Sequence, residues 1–153
     1  MRNKIVLFFA SGLGLGYLPL VPGTWGTVLG VAVYFFLGRL SLLIFVPILV
    51  AILLISFWLA DQAEQILITR DPQVVVIDEV VGYLITMISF STNWKYLLAG
   101  FFLFRFFDIV KIWPASWFDK SGKRGIAVVM DDVAAGVYAN IVMQILRLIT
   151  HWS

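Results

Sequence analysis

The sequence predicts an all-α, polytopic membrane helix bundle of about five membrane helices; four plus one interfacial or re-entrant helix is the alternative. Three observations carry this expectation. Of the 153 residues, 61% are hydrophobic and 13% charged, with a mean hydropathy of +0.98. A soluble domain is about half apolar and about a quarter charged. Apolar runs recur at about 24–38, 42–59, 74–90, 96–112 and 126–150. The basic residues gather in alternate connections between those runs. The length suits one domain, residues 1–153.

The elements follow in order. Arg2 and Lys4 precede a short apolar run, Ile5 to Ala10. That run is shorter than the roughly 7–15 residues of a secretory signal core, so it reads as a retained interfacial helix. The segment "SGLGLGYLPLVPGTWGT" (11–27) is rich in glycine and proline and leads into the first long run, with Thr24 as its expected N-cap. Its "GLGLG" lacks the strand–helix context of a dinucleotide fingerprint. "GRLS" (38–41) and "STNW" (91–94) are tight connections, whereas 61–73 and 111–125 are longer polar loops. A full span needs roughly 20 residues, and several runs are shorter, which calls for tilt, thinning or interfacial starts.

With the N-terminus inside, one side holds Arg2, Lys4, Arg70, Lys111, Lys120, Lys123 and Arg124. The other holds Arg39, Lys95 and Arg147. The positive-inside rule makes the first side cytoplasmic. Asp61, Asp78, Glu79, Asp108, Asp131 and Asp132 then all fall on that side, where carboxylates can line a wet cavity instead of the bilayer centre.

Several function classes drop out. A net charge of +2 with no long basic run does not suit nucleic acid. There is no cysteine, hence no thiolate ligand or nucleophile, and the one histidine is His151 near the C-terminus, which leaves no Ser–His–acid triad. Carboxylate and metal chemistry with a basic phosphate clamp remains.

Two motifs resemble one another: "VIDEVVG" (76–82) and "VMDDVAAG" (129–136 with its flanking valine). Gly82 is one helical turn after Asp78, and Gly136 one turn after Asp132, so each pair shares a face. Glycine there lets another helix approach closely. Asp78, Glu79, Asp131 and Asp132 make an all-oxygen ligand set suited to Mg²⁺, with Mn²⁺ possible. Clustered without a cation they would repel one another. Helix-end acids paired with loop lysines are the plain alternative. In "FRFFDIVK" (104–111), Arg105, Asp108 and Lys111 form one stripe on a helix face. Arginine offers a planar fork and lysine a point charge for phosphate. The same stripe also reads as an intrahelical salt-bridge ladder. Thr24, at the expected helix start, is a candidate phosphate contact.

Together these blocks resemble the phosphatidylglycerophosphatase A family. The resemblance runs from "SGLG…PLVPGTWGT" through "DP…VVVIDEVVG" (71–82), "FRFFDIVKIWP" (104–114) and the Asp119 loop to "GIAVVMDDVAAG" (125–136). Ile112 stands where the family usually has proline, and Arg124 and Ala127 where it usually has glycine. The resemblance implies Mg²⁺-dependent removal of the terminal phosphate from phosphatidylglycerophosphate, in a bacterial inner membrane, with the site facing the cytoplasm. It places the family's acidic positions on Asp78, Glu79, Asp108, Asp131 and Asp132. Its basic positions fall on Arg105 and Lys111, and its loop on Pro22, Gly23, Thr24 and Gly26. Asp108 could activate water, hold metal or act as nucleophile. The rival expectation is a small multi-pass transporter using the acids as a cation path, which would want them near the midplane.

Overall fold

The computed structural model describes residues 2–19, 21–110 and 125–150, and its described residues are helical or irregular, with no strand. The helices are α1 (Arg2–Ala10), α2 (Pro22–Leu37), α3 (Leu42–Leu67), α4 (Ile77–Thr86), α5 (Trp94–Val110) and α6 (Ile126–Thr150). A short 3₁₀ turn (Leu15–Tyr17) joins α1 to α2. Helices α2 to α6 fall on the five expected apolar runs.

Two of them, α3 with 26 residues and α6 with 25, are long and apolar enough to cross a membrane; α2 is apolar but shorter. Most of the apolar surface of α3 is exposed, including Leu43, Leu54, Ile55 and Trp58. Phe36, Phe102 and Leu148 extend this apolar exterior onto α2, α5 and α6. A helix that is apolar all round without being buried by protein is one that contacts lipid.

The helix starts and ends depart from the expected ones at three places. Thr24 is not the N-cap of α2: the helix begins at Pro22, capped by Val21 without a side-chain bond, so Thr24 lies in the first turn. Proline's fixed φ suits the first helical position, where its missing N–H costs nothing. Residues 61–67 are not loop, because α3 continues to Leu67. Leu59, Ala60, Ala63 and Glu64 recur at helical spacing on its buried side, the three apolar ones against Val6 and Ala10 of α1. The third run, 74–90, shrinks to the ten residues of α4. At 1.5 Å per residue that is about 15 Å, half of a span.

α4 can be short because the protein surrounds it. Asp78 and every residue from Val80 to Thr86 are buried. Tyr34, Val81, Tyr83, Leu84, Phe104, Ala135, Ala139 and Met143 form the main core around it. Beyond its last turn the freed carbonyls are taken by side chains. The Tyr34 hydroxyl donates to Met87 O and Phe90 O, and Asn140 Nδ2 donates to Thr86 O at 2.8 Å and Ile88 O at 3.0 Å. Arg147 Nη1 donates to Ser89 O at 3.3 Å, where Ser89 has a φ of 70°. Buried backbone carbonyls need such partners, and here side chains supply them.

α4 and α6 lie side by side and run parallel in a single register. Asp78 is beside Asp132, Gly82 beside Gly136, and Thr86 beside Asn140. The two glycines permit this. A Cβ on Gly136 would lie 2.4 Å from Gly82 O, and one on Gly82 would lie 2.8 Å from Asp132 O. The two similar sequence motifs therefore pack against each other.

Candidate metal and phosphate site

Five helices bring their ends together at one end of the bundle. α2, α4 and α6 begin there, and α3 and α5 finish there. Asp78 and Glu79 occupy the first turn of α4, and Asp132 follows in the second turn of α6. One carboxylate oxygen from each of Asp78, Glu79 and Asp132 lies within 4.8 Å of the others. Asp78 and Glu79 contact each other, and Asp132 contacts Asp108 of α5.

Arg105 completes the group. Its Nη1 ion-pairs with Asp108, one turn on, and both side chains are mostly buried. The first turn of α2 closes over them. A Cβ on Gly23 would come within 2.4 Å of Glu79 Oε1 and 2.9 Å of Arg105 Nη1; one on Gly26 would meet Val76 and Glu79. At Gly26 the obstacle includes the Val76 backbone carbonyl at 2.9 Å, so glycine is needed there for α2 to lie this close; at Gly23 it is the side-chain tips of Glu79 and Arg105 that would have to shift. The positive end of the α2 dipole is thereby aimed at the site.

Magnitudes decide what the arrangement requires. A helix N-terminus favours an anion by about 0.3–1 kcal/mol. Burying an uncompensated carboxylate costs several kcal/mol. Helix dipoles alone do not offset three adjoining carboxylates, and among the described residues Arg105 is already balanced by Asp108. Glu79 Oε2 is buried with no hydrogen-bond partner among the described residues. A cation is what this donor set fits. Ligand oxygens about 2.1 Å from one Mg²⁺ lie at most ~4.2 Å apart, so the three oxygens need draw in only slightly. The absence of sulfur and nitrogen donors beside them among the described residues selects a hard cation.

The structure brings together Asp78, Glu79, Asp132, Asp108 and Arg105, with Thr24 half-buried in the adjoining first turn of α2. Asp131 is buried beside Asp132 but is not one of the three oxygens that approach one another. Lys111 and the Asp119 loop lie outside the described residues. The stripe 105–108 is both things its sequence allows, an intrahelical ion pair and part of the cluster. One buried acid at this end was not among the expected residues. Glu64 sits in a stretch read as loop, and only the helical spacing of Ala60, Ala63 and Glu64 could have marked it.

Comparison with known proteins shows the family. The sequence model of the Phosphatidylglycerophosphatase A family matches residues 8–147. Phosphatidylglycerophosphatase A of Haemophilus influenzae is 37% identical over 148 residues, covering 94% of this chain and 88% of that protein. Its counterpart in Escherichia coli K12 is 33% identical over 129 residues, covering 84% of this chain and 75% of that protein. A protein of Bacteroides thetaiotaomicron named putative phosphatidylinositol-3-phosphatase is 36% identical over 149 residues, covering 92% of each. No solved structure matches.

Proposed function

The chain belongs to the phosphatidylglycerophosphatase A family, and from that premise we propose that it hydrolyses the terminal phosphate of phosphatidylglycerophosphate, giving phosphatidylglycerol and inorganic phosphate. The observation that carries the proposal is the meeting of three carboxylates, an Arg–Asp pair and a helix N-terminus at one end of an apolar bundle. The head group enters this end while the acyl chains stay against the apolar exterior. The bundle crosses the membrane more than once, and the site faces the cytoplasm, the side where the basic loops gather.

Asp78, Glu79 and Asp132 would hold Mg²⁺, with Mn²⁺ as a substitute and Asp131 in support. The chemistry supplied by such an ion is polarisation of a phosphoryl oxygen and a lowered pKa for a coordinated water. The chain's own part is positioning and charge. Arg105 presents a planar fork to the phosphate oxygens, and Lys111 adds a second cation. The first turn of α2, with Gly23 and Thr24, offers its positive end to the same phosphate. Asp108 holds Arg105 in place and touches Asp132, so it links the phosphate clamp to the carboxylates. Positioning and electrostatic stabilisation dominate phosphoryl transfer, and this set supplies both.

A cation path is not favoured: the carboxylates gather at one end of the bundle, and the relatives are named as phosphatases. The test is phosphate release in detergent, with and without Mg²⁺, comparing wild type with Asp132→Asn. Release requires Mg²⁺ and falls by more than about a hundredfold in the variant, since outer-shell partners alone are typically worth 10–100-fold. Phosphatidylinositol 3-phosphate run alongside separates the two head groups named among the relatives. No release of phosphate from any lipid by folded wild type supplied with Mg²⁺ or Mn²⁺ overturns the proposal. Equal rates in both proteins would remove Asp132 from the site.

A further inference from the structure

Glu64, 7% exposed on the last turn of α3, is used by nothing in the reaction described above. Its two oxygens serve two different segments. Oε1 accepts from Asp71 N–H at 3.0 Å, and Oε2 accepts from Gly125 N–H at 3.1 Å. Its backbone carbonyl accepts from Ile68 and Thr69 N–H, closing α3 through the left-handed Ile68. Asp71 opens the lead into α4, and Gly125 is the residue before α6. The Gly125 end is pinned further. Gly125 has a φ of +49°, and a Cβ there would lie 2.4 Å from Asp61 N and 2.6 Å from Asp61 Cα. The lead into α4 is held from its other side by Val76 N–H donating to Ala10 O at 2.9 Å.

The two segments that Glu64 joins run directly into the turns bearing Asp78, Glu79 and Asp132. We propose that Glu64 is a positioning residue. By tying the start of α6 to the lead into α4, it sets the separation of the three carboxylates, and so the fit of the cation between them. This rests on the metal-site reading above. The chemistry of the side chain matches the task. A carboxylate has acceptors at both ends and no donor, and its bonds to N–H are charge-assisted. Glutamine keeps one acceptor and turns an NH₂ group against the other N–H. Alanine keeps neither.

The experiment measures Mn²⁺ affinity by electron paramagnetic resonance on the full chain in detergent. It compares wild type, Glu64→Gln, Glu64→Ala and Gly125→Ala, each with a thermal melt and lipid kinetics. Glu64→Gln weakens Mn²⁺ binding about tenfold, as outer-shell changes do. Glu64→Ala weakens it more, and Gly125→Ala moves it in the same direction by pushing α6 off Asp61. In all three, kcat falls while KM for the lipid changes little. Folded Glu64→Gln and Glu64→Ala that bind Mn²⁺ as wild type does would overturn the proposal while leaving the phosphatase reading intact. A Glu64→Gln protein that does not fold would also overturn it, because the residue would then determine the fold. Should wild type bind no Mn²⁺, the metal reading fails. The positioning role, which is stated for that cation, then falls with it, whatever the kinetics of Glu64→Gln.

Discussion

The two ends of this bundle treat polar side chains in opposite ways. At the far end, Tyr34, Asn140 and Arg147 all donate to carbonyls left over where α4 stops. Each is there to complete backbone hydrogen bonding. They also border or lie near a cavity of about 440 Å³ lined by Tyr34, Phe45, Ser89, Phe90, Tyr96 and Arg147. At the site end, Asp78, Glu79 and Asp132 face one another, and a buried oxygen of Glu79 has no hydrogen-bond partner among the described residues. Polar groups that satisfy the fold stabilise it. Like charges gathered at helix ends destabilise it unless something binds between them. The contrast marks one end as scaffold and the other as the candidate site.

Substitutions test that contrast, and the largest effect is expected at Asp132. Asp132→Asn abolishes most turnover, yet leaves the metal-free melting temperature unchanged or higher, because one of the clustered charges is gone. A melt that drops by several degrees in the absence of metal would place Asp132 in the scaffold instead. Gly136→Ala acts on the joint between the two regions. Its Cβ would meet Gly82 O, and overpacking of this kind costs about 1–3 kcal/mol. Both the melting temperature and the Mg²⁺ requirement for turnover should move; a melt shift without any change in Mg²⁺ dependence would uncouple the helix crossing from the site. Asn140→Ala leaves two carbonyls, Thr86 O and Ile88 O, without their side-chain donor. It should lower stability by about 1–3 kcal/mol while the folded fraction keeps its activity per molecule. Lost activity at full stability would extend the site to the far end. Arg147→Ala is the smallest change. The side chain is exposed with one long bond among the described residues, so stability should stay within about 0.5 kcal/mol and turnover should not change.

The α3 end shows why one buried acid was hidden. Charged and polar residues from Asp61 to Arg70 look like a loop in sequence. The helix persists to Leu67 because Ala60, Ala63 and Glu64 have α1 and the start of α6 to pack against. Glu64 gains its meaning from the backbone N–H groups of Asp71 and Gly125, which no local pattern reveals. The acids at 78–79 and 131–132 were legible for the opposite reason. A pair of carboxylates inside an apolar run is costly anywhere, and the glycine one turn later marks a close helix contact.

The sequence by itself determined the helical class, the apolar exterior, the acidic pairs at 78–79 and 131–132 as candidates and the family, because composition, helical spacing and residue chemistry are local properties. The length of α4, the parallel register that sets Asp78 and Glu79 beside Asp132, the first turn of α2 over Arg105 and the two backbone partners of Glu64 were decided only by the tertiary structure. Each depends on which surface arrives from a distant part of the chain to satisfy a carbonyl, accept a glycine or supply an N–H, and nothing in a local stretch specifies its partner.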